Sequence, residues 1–450
     1  MTALALYTQD LGCKVTGSDV WEDFVTSRVL AKRRIPITVG FSPRLIRKET
    51  KLLIYSAARP HNPQIAAAQE KEIKVLSYAQ ALGEFLKGKQ TIAVCGVGGK
   101  TTTTAMISWI LEKCGQNPSY VAGVGEINNL GFPGRWTKGE IAVVEADDYV
   151  SVPGIDNTPK FMYLDPKIIV ITNIEHDHPD VYQDLNKTIE AFLAFLNKLP
   201  KDGLIVANID SQNIRQTLNK LKAIRPQLKI LTYGSTNTAD WFVSDVTFKN
   251  QRTKFQLKIN NQRFNLTLKI PGRFNVLNAT AAVVVAANLK LNLAKTIQAL
   301  GEFSSTKRRF EKIGEFNDIE VWDDYAHHPL QIQETLKAAR SWFEKKRLIV
   351  VFQPHTYSRT KVLLDDFAQS FSAADKVIIT DIFSSAREKT DPTISGKILA
   401  EKISHFHKDV TYLASTGMLK YLKTNLNAGD VILTLGAGDI YKLAEKLIDK

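Results

Sequence analysis

The stretch QTIAVCGVGGKTTTT, residues 90–104, constrains this chain more than any other. Its apolar run at 91–95 predicts a buried parallel strand. The run breaks into Gly96-Val97-Gly98-Gly99, and Lys100 with four threonines opens a helical pattern through Leu111. Strand, glycine loop and helix N-terminus together make an anion site. Unhindered backbone N–H groups and the positive end of the helix dipole converge there on phosphate oxygens. Lys100 adds a mobile charge and Thr101 offers a hydroxyl to Mg²⁺. The form is the short G-x-x-G-K-T-T, because Val94 stands where the longer phosphate-loop motif has its first glycine. Residues Gly96 to Thr102 are the expected contacts, and ATP is the expected ligand.

A chain of 450 residues is too long for one core and predicts two to four domains. The three cysteines, Cys13, Cys95 and Cys114, have neither metal-ligand nor disulfide spacing, which fits a reducing cytoplasm. The longest apolar run, 281–287, is too short to span a bilayer. The first residues lack the basic start and cleavage site of a signal peptide. A net charge of +13 raises nucleic acid as a partner. The basic residues are interleaved with acids and form no long tract, so an anionic small substrate accounts for the charge as well.

Residues 1–88 alternate helices (2–11, 65–70, 78–86) with strands (14–17, 37–39, 52–56), the pattern of a small parallel α/β unit. In helix 2–11, Leu4, Ala5 and Leu11 mark the apolar side. Asp19 closes the first of these strands, where an acid commonly faces a ribose hydroxyl; alone it would cap a turn. A doubly wound domain normally opens on a strand and a glycine loop. This chain opens on a helix, and the expectation is a start upstream of Met1, with a damaged copy as the alternative.

The central segment, 89–302, continues with the buried strand 140–148, which ends in acids. Acids at the C-terminal end of a parallel strand sit where ligands bind in open sheets, making Glu145 a candidate to hold Mg²⁺. Strand 167–172 then delivers Asn-Ile-Glu-His-Asp-His at 173–178. His178 is the stronger candidate for metal or phosphate and His176 the weaker. Alternating segments at 241–248, 254–259 and 263–270 read as appended antiparallel strands. The helix predicted at 275–289 carries Asn275 and Asn278 in its first turn; a carboxamide can pair with adenine, or simply cap.

In the third segment, 303–450, strands at 319–323, 348–353, 376–381 and 431–435 each precede a helical stretch. Four polar loops follow them, at 323–329, 353–360, 386–388 and 436–439. Loops of this kind gathered on one sheet edge make a site, although any one alone reads as a solvated turn.

Taken in order, GVGGKTTTT, VEADD, TNIEHDH, PGRFNVLNA, KRRF, DDYAHHP, FQPHTYSRT, AREK and GAGD resemble the Mur ligase family over essentially the whole chain. The resemblance implies three α/β domains: a truncated Rossmann-like one for a UDP-sugar, a central P-loop-type ATPase domain with added antiparallel strands, and a C-terminal Rossmann-like one for the amino acid. It implies an ATP-dependent ligase of the cytoplasm, monomeric or weakly dimeric, that joins L-alanine to the carboxylate of UDP-N-acetylmuramate for peptidoglycan. On it, Lys100 contacts the ATP phosphates, and Thr101, Glu145 and His178 arrange Mg²⁺. Asn275 and Asn278 lie near adenine, Arg309 near the phosphates and Asp324 near the ribose. Asp19 and Ser56 serve the sugar nucleotide, while Tyr325, His327 and Arg359 form the amino-acid pocket, Arg359 clamping the carboxylate.

The chain departs from the family pattern at several places. Val97-Gly98 replaces the usual Thr-His, and Asp148-Tyr149-Val150 follows the acidic strand where Glu-Ser-Asp is common. Phe274 replaces a histidine, and Thr356 stands where many members carry arginine. The stretch 150–164 is long and leans towards the relative that reattaches a recycled tripeptide; FQPHTYSRT leans back towards alanine. A remnant that binds ATP without ligating, and a nucleic-acid-dependent ATPase, are the competing classes.

The expected chemistry follows from the inventory. A carboxylate acylates poorly because its leaving group is oxide, whereas an acyl phosphate made from ATP expels phosphate when an amine attacks. Such transfer between anions needs charge neutralisation, which Mg²⁺, Lys100 and Arg309 supply on this reading. Sites spread over several domains predict closure on substrate binding.

Overall fold

The computed structural model describes residues 1–20, 24–178, 180–384 and 388–449. Its contacts divide the chain into two compact units. One comprises Met1–Ser244, Gln256–Leu266 and Leu277–Phe303; the other comprises Asp245–Phe255, Thr267–Val276 and Ser304–Lys450.

At the centre of the first unit, strand Gln90–Cys95 lies parallel between Ile141–Glu145 and Ile168–Ile171. Outwards on one side follow Leu204–Asn208 and Lys229–Gly234, and on the other Ser119–Val121 and Gly134–Arg135. The two flanking strands, like Leu204–Asn208, bury almost every residue, as expected of parallel strands covered on both faces. Trp241–Lys249, Arg252–Ile259 and Gln262–Leu268 bring the sheet to ten strands. The first of them pairs parallel with its neighbour through Tyr233↔Trp241 and Gly234↔Phe242. Positive φ at Asn250 and Gln251, +52° and +50°, gives the tight turn that follows it.

Residues before 90 differ from expectation. The small parallel unit is present as two separate two-stranded ribbons, Gly17–Asp19 with Ile37–Val39 and Leu52–Tyr55 with Lys74–Ser77. Its first strand starts at Gly17 rather than 14, and periodicity gave no sign of helix Val25–Lys32 or strand Lys74–Ser77. Helix Thr2–Asp10 buries Ala3, Leu4, Leu6 and Tyr7, so it is covered on more than the one side expected of it.

The second unit holds a six-stranded sheet in the order Glu311–Phe316, Ile319–Asp324, Val431–Leu435, Leu348–Phe352, Lys376–Ile379, Val410–Tyr412. All neighbours are parallel except the first pair. The two outer strands, Glu311–Phe316 and Val410–Tyr412, were not foreseen. Both are partly exposed; the first mixes charged with apolar residues and the second is only three residues long, which blurs a strand signal. Because the inner strands are parallel, the polar loops that follow 324, 352, 379 and 435 emerge at one edge.

Candidate active site

Helix Lys100–Lys113 begins at Gly99, which is left-handed at φ +83° and supplies no side-chain cap. The first-turn amides therefore face outwards unsatisfied by any side chain at the cap, the arrangement an anion fills. Two glycines are sterically required. A Cβ on Gly99 would lie 2.5 Å from Asn278 Oδ1, and one on Gly96 (φ +128°) would lie 2.2 Å from Thr172 Oγ1. The loop is pinned from the next strand: Asn173 Oδ1 accepts from the Gly98 amide at 2.9 Å, and Thr172 donates to the Gly98 carbonyl at 2.6 Å. Sequence reasoning missed both residues, whose signal was the Thr-Asn that opens TNIEHDH.

Lys100 Nζ donates to the Gly96 carbonyl at 2.7 Å and lies 3.4 Å from Asp148 and 3.7 Å from Asp147. Burial alone would lower its ammonium pKa. The field of Asp148, then Asp147, Glu145 and Asp177, outweighs burial and holds it above the ordinary lysine value. Thr101 donates to both oxygens of Glu145, at 3.0 and 3.1 Å, and the Gly123 amide adds a third bond at 2.7 Å.

The structure groups His178 with Asp147 and Asp148, whose ligand atoms and its own all lie within 4.8 Å of one another. Glu145, expected with Thr101 and His178 to arrange Mg²⁺, accepts from Thr101 and from the Gly123 amide. Asp147 and Asp148 were passed over because they read as the tail of a strand. Burial acts to raise the Asp147 carboxyl, but Lys160 and then Lys100 hold it well below the usual range. Burial raises Asp148 despite Lys100. His176 is engaged at 2.8 Å with the Tyr182 carbonyl and so closes its own loop.

Asn278 abuts Gly99, as described, while Asn275 donates at 2.7 Å to the Pro271 carbonyl one turn back. Nearer the N-terminus, Asp19 accepts from the Val20 amide and Ser56 from the Ala58 amide, both local turn bonds.

In the second unit, Arg308 is held by three fixed acceptors. Its guanidinium bonds Asp323 at 3.0 Å, the Gly438 carbonyl at 2.9 Å and the Gly436 carbonyl at 2.5 Å. It also sits between the rings of Tyr325 and Tyr441, 5.1 and 4.6 Å from their centres. Arg309 lies over the same Tyr325 ring, 5.0 Å from its centre. Asp324 accepts from the Phe310 and Ala326 amides at 2.7 and 2.8 Å; burial raises its carboxyl and that of Asp323.

His327 meets Tyr325 edge-on at 5.3 Å and His355 at 5.9 Å, and His355 stacks on Phe383. Arg359 rides on the short helix Tyr357–Val362, whose first amides are accepted by Glu388 from a distant loop. Thr356, just before it, is left-handed at φ +72°, a strained setting for a β-branched residue. Ala386 and Arg387 of AREK lie outside the described residues.

A glycine loop opening a helix, with acids and a histidine at adjoining strand ends, defines an α/β protein built to handle nucleotide phosphates. Three family models match the chain in succession. They are the catalytic domain of the Mur ligase family at residues 1–90, the Mur ligase middle domain at 94–286, and the Mur ligase glutamate ligase domain at 308–438. A UDP-N-acetylmuramate–L-alanine ligase of Acetivibrio thermocellus is 40% identical, the match covering 100% of this chain and 93% of the relative. One of Desulfitobacterium hafniense is 38% identical over 100% of this chain and 97% of its own length. The chain belongs to the Mur ligase family. The solved UDP-N-acetylmuramate-alanine ligase of Thermotoga maritima superposes with a TM-score of 0.82 at 26% identity, covering 100% of this chain and 95% of that one. A murein peptide ligase of Psychrobacter arcticus gives 0.72 at 25% identity, with coverage of 100% and 95%.

Proposed function

We propose that this chain is an ATP-dependent ligase that joins L-alanine to the carboxylate of UDP-N-acetylmuramate in peptidoglycan precursor synthesis, in the cytoplasm. The observation that carries the reading is Lys100: a largely enclosed ammonium at the head of an uncapped helix, held by a loop carbonyl and acids that phosphate oxygens can replace. Its curated relatives at 40% and 38% identity share the reaction in their names.

Asp147, Asp148 and His178 could hold a divalent cation, Mg²⁺ on this reading: the two carboxylates supply the oxygen donors that a hard cation prefers, and a neutral His178 imidazole can add a nitrogen. Glu145, tied to Thr101, adds negative charge beside them. When bound, the cation neutralises phosphate charge during phosphoryl transfer. The chain's own groups do the rest. First-turn amides and Lys100 cradle the phosphates, and Gly96 and Gly99 let the backbone approach them. Asn278 lines the loop from behind. In the C-terminal loops, Arg359 is assigned to the alanine carboxylate, and Tyr325 and His327 to the pocket around it. Arg309 is assigned to the phosphates and Asp19 and Ser56 to the sugar nucleotide. The three-domain division at 88 and 302 belongs to the same proposal.

ATP-dependent phosphate release with UDP-N-acetylmuramate, compared among L-alanine, L-serine, glycine and the tripeptide, tests it. Release stimulated most by L-alanine is expected. Release driven by the tripeptide instead would move the chain to the recycling reaction, which the hairpin Val150–Val152/Asp156–Pro159 favours. No described helix is long and apolar enough to cross a membrane.

A further inference from the structure

The long stretch 150–164 has no part in the reaction as described, yet it brings a cation to the phosphate loop. Strands Val150–Val152 and Asp156–Pro159 pair antiparallel and lead into a 3-10 turn, Lys160–Tyr163. That turn is anchored on every side. Phe161 is fully buried and stacks on Phe195 with centres 4.4 Å apart, and its amide donates to the Asp147 carbonyl at 3.0 Å. The Lys160 amide donates to the Tyr149 carbonyl at 2.9 Å, and Ser151 bonds Ser77 at 3.0 Å. Gly83 is required opposite, because a Cβ there would lie 2.2 Å from the Tyr163 carbonyl oxygen. Lys160 Nζ is thereby held 2.8 Å from Asp147 Oδ2 and 5.2 Å from the centre of the Tyr149 ring.

Asp147 is therefore divided between two ammonium groups, Oδ2 on Lys160 and Oδ1 facing Lys100, while Asp148 also faces Lys100. Both carboxylates among the three cation donors are already in ion pairs. We propose that Lys160 is a tethered competitor for the divalent cation: it occupies Asp147 so that the free enzyme binds the metal ion poorly. Binding becomes strong only when nucleotide phosphates draw Lys100 away and deliver the cation with them. The acids Glu145 and Asp177 nearby would otherwise make the cluster a trap for any free divalent ion. Lys160 is on this account a positioning residue, and the proposal rests on Asp147, Asp148 and His178 being the cation donors.

The test is Mn²⁺ binding to the intact protein, followed by electron paramagnetic resonance, with and without a non-hydrolysable ATP analogue. The wild type should bind Mn²⁺ weakly alone and much more tightly with the analogue. Lys160→Met should bind Mn²⁺ at least tenfold more tightly than wild type in the absence of nucleotide, and Lys160→Arg should restore wild-type weakness. Equal affinities for Lys160→Met and wild type, with the analogue still promoting binding, would overturn the competition and leave the cation assignment standing. No Mn²⁺ binding by the wild type even with the analogue would overturn both. A melting temperature for Lys160→Met near that of the wild type guards against loss of fold.

Discussion

Lys100 and Arg308 are equally enclosed cations, each with a side chain 13% exposed and each facing a buried aspartate. Their bonding differs. Lys100 has one short bond, to a carbonyl at 2.7 Å, and two looser carboxylate contacts at 3.4 and 3.7 Å. Arg308 spends three bonds on fixed partners and is flanked by two tyrosine rings. An ammonium on a flexible stem can exchange carbonyl for phosphate at little cost, whereas a planar guanidinium locked in a fork cannot. The phosphate loop is thus arranged for exchange, and the C-terminal loops are arranged to hold shape before any ligand arrives.

The contrast can be broken by mutation. Arg308→Ala strands Asp323 as an unpaired buried carboxylate, for which about 3–5 kcal/mol of stability is expected to be lost; urea unfolding measures it. A loss below about 1 kcal/mol would make Arg308 as exchangeable as Lys100. Lys100→Ala should remain folded and lower kcat by roughly 10²–10³-fold or more, the scale for removing one donor to developing charge. Wild-type-like turnover in steady-state phosphate release would sink the nucleotide assignment.

Gly99→Ala combines a left-handed φ with the close approach of Asn278, so about 1–3 kcal/mol is expected from strain, together with weaker nucleotide binding by calorimetry. Glu388→Ala removes the acceptor for the first amides of the helix bearing Arg359, at about 1 kcal/mol. It should raise KM for the amino acid and leave KM for ATP alone.

The smallest effect is on titration. Asp147 should stay ionised below the ordinary carboxylate value of ~3.9, while Asp324 should take up its proton above it. The signs are opposite. A depressed pKa gives Asp147 a stabilising contribution that is present above the unfolded value and lost as pH falls through the folded one. A raised pKa makes ionised Asp324 costly near neutrality, and acidification relieves that cost. Carbon-detected NMR of the two carboxyls resolves the order.

How far the sequence was legible follows the same division. The strand–loop–helix at 90–113 announced itself because glycines, lysine and threonines are each demanded by backbone approach and charge. Arg359 and Glu388 were both visible in the C-terminal motifs, but their connection through a helix start was not, since it joins residues 30 apart. Asn173 and Thr172 were hidden because a hydrogen bond to a loop distant in sequence leaves no periodic trace. Asp147 and Asp148 were visible as letters; only the turn at Lys160 shows which side of the strand end they serve. That Arg308 is the one bonded to Asp323 and to the Gly436 and Gly438 carbonyls was beyond sequence reasoning, because adjacent residues differ here only in where the chain points them.

The two ribbons before residue 90 carry a thermodynamic consequence. A two-stranded pair is marginal by itself, and Ile37, at 40% exposed, and Val39, at 53%, lie largely in water. Their amides should exchange with solvent deuterium through local opening, long before those of Gln90–Cys95, whose strand has a parallel neighbour on either side. The segment assigned to the sugar nucleotide would then be the most easily loosened part of the fold. Binding there would register first as slowed exchange, and the affinity measured would include the free energy of quieting that opening.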